Sequence, residues 1–324
     1  MKIKRILFFM LSAIILLLSV MTVEKTGKLH YYVKKYGGVY YADDGNIISL
    51  YDYHGKDAFK KNLDTVSAFA IDCPLDVFVA IPPRKMDALT SSLPKDFPHS
   101  DITALFTLAK GEVENNGGVY IDLLPVLSGK SEYAGELYFK TDHHWTSHGA
   151  YLAYREIVSA MGKTPLEESR FEISLFADKY RGSDYNKHPA DEYDEILLYY
   201  SESYGDFQVT EVNFPYDSDE NNVLLSGMYL EDRLTSFDPY TVYFGGNTPY
   251  ITIKKGGRDT LLIIRDSFAS ALAPFLAEHF NVVMVDPRFY PSAIRTVIER
   301  ESVDKVLILE NMGSYTENTI KFKY

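Results

Sequence analysis

The feature that most narrows the possible folds is an alternating run near the C-terminus. Thr260 to Ile264 is apolar and rich in branched residues, Phe268 to Phe280 is apolar at helical spacing, and Val282 to Val285 is again a short apolar run. Pro291 stands where a first helical turn begins, that helix continues to about Arg300, and Val306 to Leu309 completes the series. Strands that are apolar along their whole length are buried on both faces. Alternating with helices, they specify a parallel sheet covered on each side. The fold class is α/β.

The N-terminal half repeats the pattern. Asp57 to Ile71 places Phe59, Leu63, Val66 and Phe69 at helical spacing, and Leu75 to Ile81 reads as a buried strand ended by Pro82-Pro83. Asp101 is a suitable cap for a helix ended by Gly117-Gly118, and Val119 to Leu123 reads as the next strand. Between the two halves, at about 165–250, acidic residues and tyrosines crowd together, as in Asp191-Glu192-Tyr193-Asp194-Glu195, and short apolar runs alternate with turn residues. This stretch reads as a β-rich insertion. The organisation is thus 1–24 as a leader, 25–56 as a polar lead-in, and 57–324 as the α/β domain with its insertion.

The leader has Lys2, Lys4 and Arg5 before an uncharged stretch from Ile6 to Val23. As a helix this stretch covers roughly 27 Å at about 1.5 Å per residue, close to the thickness of a bilayer core. Val20-Met21-Thr22-Val23 lacks the small residues of a cleavage site, which favours a single-pass signal anchor over a cleaved signal peptide. The basic residues on its N-terminal side place the remaining chain outside the cytoplasm, or free of the membrane if cleavage occurs. Cys73 is the only cysteine, so no internal disulfide forms and cysteine-rich zinc sites are excluded. A net charge of −12 argues against nucleic acid as a partner, which calls for a basic stripe.

Within this frame Arg265-Asp266-Ser267-Phe268 follows a buried strand and opens a helix. The first N–H groups of a helix have no internal acceptor, and the helix dipole adds positive potential there. An oxyanion forming at Ser267 is stabilised in that position, with the Ser267 or Phe268 N–H as donor. Asp and Ser are also ordinary helix caps.

Thr141-Asp142-His143-His144-Trp145-Thr146-Ser147-His148 holds three of the eight histidines and the single tryptophan. It precedes a helical segment, Ala150 to Met161, for which Ser147 or Thr146 is a cap. In extended chain Asp142 and His144 point to one side, where a carboxylate fixes the imidazole tautomer and stabilises the imidazolium formed when His takes a proton from a nucleophile. Trp145 then packs the loop or walls the site. Asp142, His143, His144 and His148 could also ligate zinc, with His144 and His148 spaced like two ligands on one helix turn, although no Glu stands between them and the zinc-protease motif is not matched. A third reading has these histidines satisfied in a polar loop.

Further candidates lie where strand ends are expected. Gly246 and Asn247 offer oxyanion donors or a plain turn, Arg288 offers a contact to sugar or a pairing with Asp286, and Asn311 and Tyr315 follow the last strand. Tyrosine is frequent, at 26 residues, and its exposed rings can stack on sugars, although half-buried packing is the usual role.

Asp142-His143-His144-Trp145 is the namesake signature of the bacterial DHHW protein family, which this chain resembles. The likeness continues through Phe176-Ala177-Asp178-Lys179-Tyr180, Phe244-Gly245-Gly246-Asn247 with Pro249-Tyr250, and Leu261 to Leu272. That family is similar to alginate O-acetyltransferase proteins of the AlgX and AlgJ type. The resemblance implies an SGNH-hydrolase-like three-layer fold with motif order permuted, and a triad of Asp142, His144 and Ser267. It also implies acetyl transfer to, or removal from, an exported or cell-surface polysaccharide, with a membrane-bound O-acyltransferase as acetyl donor and no metal or cofactor. Arg265 stands where SGNH enzymes usually have glycine, and His143 receives no role. The rival expectation is a polysaccharide-binding or assembly subunit that keeps the fold without catalysis.

Overall fold

A computed structural model of the chain describes residues 39–41, 45–49, 55–89, 102–128, 136–187, 191–317, 320–322 and 324. The N-terminal apolar stretch, much of the lead-in and the expected cap at Asp101 lie outside these residues. Among the described residues no helix is long and apolar enough to cross a membrane.

The strands in chain order are β1 (Val39–Tyr41), β2 (Ile47–Ser49), β3 (Asp76–Ala80), β4 (Val119–Ile121), β5 (Phe171–Tyr180), β6 (Asp194–Ser201), β7 (Gln208–Glu211), β8 (Val223–Leu224), β9 (Tyr250–Lys254), β10 (Thr260–Arg265), β11 (Asn281–Val285) and β12 (Lys305–Leu309). The principal helices are α1 (Gly55–Asp72), α2 (Ile102–Asn115), α3 (Ser147–Ala160), α4 (Phe268–Leu276), α5 (Ile294–Glu301) and α6 (Met312–Glu317). One eight-stranded sheet runs in the order β4-β3-β12-β10-β11-β9-β7-β8.

The strands from β4 to β11 in that order are parallel. The expected parallel sheet is corrected at its far side, where β9, β7 and β8 add antiparallel. The insertion is thus attached to the central sheet through β7. Within the insertion β5 and β6 form a two-stranded sheet of their own, while β7 and β8 extend the central one; β1 and β2 pair as a further two-stranded sheet.

The continuous apolar strands do what their composition requires. Successive residues point to opposite faces. Leu261 and Ile263 join Val282, Met284 and Leu307 in a core against α3 and α4. Leu262 and Ile264 join Val283, Val285 and Val306 in a second core against α1, α2 and α5. Burying each such side chain contributes about 1.5–3 kcal/mol, so both faces must be covered. Three layers result.

Helix α4 is buried at every position, lying between the sheet and α3, and it ends at Leu276, short of the expected Phe280. Helix α5 begins at Ile294 after an extended Ala293, later than Pro291 suggested. The loops that follow β3, β10, β11 and β12 all open on the same carboxyl edge, where a parallel sheet places its sites.

Candidate active site

Strand β10 ends at Arg265, and Asp266-Ser267 turn the chain into α4. Asp266 takes over the capping work. Its Oδ1 accepts from the Phe268 N–H at 2.9 Å, and its Oδ2 accepts from the Asn311 N–H, the Asn311 amide and the Ser314 hydroxyl at 2.7, 2.6 and 3.0 Å. Ser267 makes no side-chain capping bond. Its hydroxyl lies 2.7 Å from His144 Nε2 instead.

The other face of that imidazole meets Asp142. His144 Nδ1 lies 2.6 Å from Asp142 Oδ1, which also accepts the His144 backbone N–H at 2.8 Å. A carboxylate only accepts, so Nδ1 carries the proton and Nε2 is free to accept from the serine hydroxyl. The Ser183 N–H donates to Asp142 Oδ2 at 2.6 Å. Burial alone pushes the Asp142 carboxyl up, but the adjoining His144 and His143, with these hydrogen bonds, hold it well below the usual carboxylate range. Tyr240 stacks on the His144 ring at 4.0 Å and 9°, fixing its plane.

The loop that carries this pair is tied from three sides. Its ends are laced by an antiparallel bridge between Tyr138 and Trp145 and by the Thr146 N–H to the Leu137 carbonyl at 2.9 Å. The buried Lys85 ammonium donates to the carbonyls of Phe139, Lys140 and Asp142 at 2.9, 3.0 and 2.8 Å and pairs with Asp184 at 3.1 Å. The Asp194 carboxylate accepts the N–H groups of Lys140 and Thr141 at 2.7 and 2.8 Å. Thr146 caps α3 by accepting from the Gly149 N–H.

A cavity of about 170 Å³ opens at Ser267, lined also by His143, Arg288, Asn311, Lys85 and Phe268. Arg288 chelates the buried Asp286 through Nε at 2.9 Å and Nη2 at 2.6 Å. His143 lies half-buried, its Nδ1 2.6 Å from the Ser183 hydroxyl. Burial first, and the neighbouring His144 second, push the His143 imidazole down to about 4.

Other expected contacts are corrected. The Phe268 N–H is occupied by Asp266, which leaves the Ser267 N–H as the backbone donor without an acceptor among the described residues. Tyr315 is fully buried in the core on the α1 side, its ring 5.7 Å from Phe59, because α6 turns that side chain inward. Gly246 belongs to a turn, with its N–H on the Tyr243 carbonyl at 3.2 Å. Asn247 is exposed, its side-chain oxygen 3.4 Å from Arg288, and neither Gly246 nor Asn247 lines the cavity. Trp145 is packing, its indole N–H donating to the Phe268 carbonyl at 3.0 Å. Arg265 turns away from the cavity and donates to the Thr248 carbonyl at 3.1 Å.

Sequence reading missed Lys85, Asp194 and Tyr240. Lys85 was findable, since Pro82-Pro83-Arg84-Lys85 puts a basic pair just beyond a buried strand. Tyr240 carried no such sign.

Ligand atoms of Asp142, His143 and His144 lie within 4.8 Å of one another, a spacing that a metal ion can bridge. Both His144 nitrogens are already hydrogen-bonded, to Asp142 and Ser267, and His148 turns away to Glu168 at 3.1 Å.

Fold and site together define an α/β protein with a mostly parallel sheet and a Ser–His–Asp hydrogen-bonded chain at its carboxyl edge. The chain belongs to the DHHW protein family, which matches residues 84–286. Its backbone is similar to that of a DHHW family protein from Eubacterium siraeum, with TM-score 0.73, 18% identity, and 90% of this chain and 95% of that one covered. It is similar to PatB1 of Bacillus cereus carrying a sulfonyl adduct, with TM-score 0.73, 19% identity, and coverage of 90% and 100%. It is also similar to the O-acetyltransferase domain of Pseudomonas putida AlgJ, with TM-score 0.53, 15% identity, and coverage of 88% and 94%. At such identities the likeness is one of fold. Comparison with curated proteins gives no match.

Proposed function

We propose that this protein is a serine-dependent O-acetyltransferase or acetylesterase of SGNH-like design that acts on polysaccharide outside the cytoplasm. The observation that carries the reading is the unbroken chain from Ser267 Oγ to His144 Nε2 at 2.7 Å and from His144 Nδ1 to Asp142 at 2.6 Å. AlgJ supplies an O-acetyltransferase domain of similar fold, and the sulfonyl adduct on PatB1 fits a fold that presents a reactive nucleophile.

In the proposed reaction Ser267 Oγ attacks the carbonyl carbon of an acetyl ester while its proton passes to His144 Nε2. Asp142 stabilises the imidazolium. The oxyanion is held by the Ser267 N–H, with the Arg288 cation and the Asn311 amide along the same cavity wall. The carbon–oxygen bond to the leaving alcohol breaks as His144 returns the proton. A sugar hydroxyl or water then attacks the acetyl-serine, giving transfer or hydrolysis. Lys2, Lys4 and Arg5 before the apolar Ile6–Val23 support membrane attachment and an outward-facing domain, with a membrane-bound O-acyltransferase as donor in the transfer case.

The purified protein should release acetate from 4-nitrophenyl acetate, with a rate unaffected by a chelator. Ser267→Ala and His144→Ala should each lower that rate by about 10⁴. Unchanged turnover in either variant overturns the reading, and loss of activity on chelation favours a metal at Asp142, His143 and His144.

A further inference from the structure

The cavity at Ser267, about 170 Å³, has room for an acyl group but not for a length of polymer. A larger groove of about 590 Å³ lies close by along the chain. The segment 286–292 joins the two, for Arg288 lines the Ser267 cavity while Tyr290 and Ser292 line the groove.

The groove's wall is aromatic and open. Phe214 is 75% exposed, and its ring meets Tyr216 edge-on at 5.9 Å. Tyr216 in turn lies 4.9 Å from Tyr290. Asp219 and Arg300, which pair with each other, line both this groove and a second hollow of about 340 Å³ faced by Thr210, Thr252 and Gln208. Flat rings beside carboxylates, hydroxyls and an amide match a pyranose, which has an apolar C–H face and a rim of hydroxyls. A lipid chain would leave those polar groups against hydrocarbon without partners. The volume is that of a site for a small ligand or a short run of sugars.

We infer that the groove walled by Phe214, Tyr216 and Tyr290 is a glycan-binding subsite that holds the polysaccharide while its acetyl group reacts at Ser267. This rests on the polysaccharide reading above. The rings supply affinity by stacking, and the 286–292 segment couples the bound chain to the reacting serine.

The test uses the full chain, the Phe214→Ala/Tyr216→Ala double variant and a Phe214→Tyr control. The immobilised probes are O-acetylated forms of alginate, xylan, dextran and chito-oligosaccharide. Retention on at least one glycan should fall about tenfold in the double variant and persist in the control. Hydrolysis of 4-nitrophenyl acetate should stay unchanged in both, since the small ester does not reach the groove. Binding to none of the four, or equal binding by the double variant, overturns the inference. Loss of small-ester activity only in Ser267→Ala keeps the catalytic reading intact in that event, so the two failures are distinguishable.

Discussion

Replacing Asp142 with asparagine tests the site at its most constrained atom. Asp142 Oδ1 accepts twice from His144 and Oδ2 accepts from the Ser183 N–H, so both oxygens are filled by donors. An asparagine has one acceptor and one donor end. With its oxygen toward His144, its NH₂ meets the Ser183 N–H, donor against donor. With its NH₂ toward His144, the imidazole must shift its proton to Nε2, and it then presents a donor to Ser267 where a base is required. Either way the negative charge that stabilises the imidazolium is gone. The loss of the correct tautomer lowers kcat by about 10⁴, or about 5.5 kcal/mol in the barrier, with KM for a small ester little altered. The assay is steady-state hydrolysis of 4-nitrophenyl acetate at several pH values. Trp145 is the only tryptophan and its indole binds the Phe268 carbonyl, so its fluorescence reports whether the loop has held its place. A rate within tenfold of the parent, with fluorescence unchanged, would refute the assignment of Asp142 as the orienting carboxylate.

Other outcomes follow from the same geometry. Lys85→Met strips the loop of its internal cation and leaves Asp184 buried without it, so stability should fall by about 3 kcal/mol by denaturant titration and esterase kcat by at least tenfold. Burial first, and the Asp266 charge second, raise the Glu310 carboxyl to about 8 from its ordinary 4.5. The folded protein therefore binds a proton that the unfolded chain releases above about 4.5, and this contribution, on the order of 5 kcal/mol, is lost as pH rises from there through about 8. Glu310→Gln should remove that decline, so its Tm at pH 9 should exceed the parent's, and coincident Tm curves across pH 5–9 would dismiss the effect. His143, lowered to about 4, works in the opposite sense. Its neutral form favours the fold above about 6.5, and that contribution is lost as pH falls toward 4, so His143→Asn should flatten the acid limb of the stability curve.

Much of this protein was legible before folding because one-dimensional patterns carried it. Leu261-Leu262-Ile263-Ile264 has no polar residue for solvent, so the strand had to be covered twice, and the order of the covering helices followed from their spacing. The nearness of Asp142 to His144 was local, but a bend sets it rather than the expected extended chain, with Asp142 Oδ1 accepting the His144 N–H. Ser267 was marked by its place between a strand and a helix. What sequence could not reveal is which of two neighbours, Asp266 or Ser267, caps α4. That choice is made by Asn311 and Ser314, just beyond the carboxyl end of β12, which gather on the Asp266 carboxylate and leave the serine hydroxyl to the imidazole. Nor could it reveal that Tyr315 points into a core while Arg288 faces the cavity, or that β7 and β8 leave the insertion to join the central sheet. Strand and helix patterns depend on residues a few positions apart, whereas partner choice depends on groups that the chain brings together only once both layers of helices have closed on the sheet.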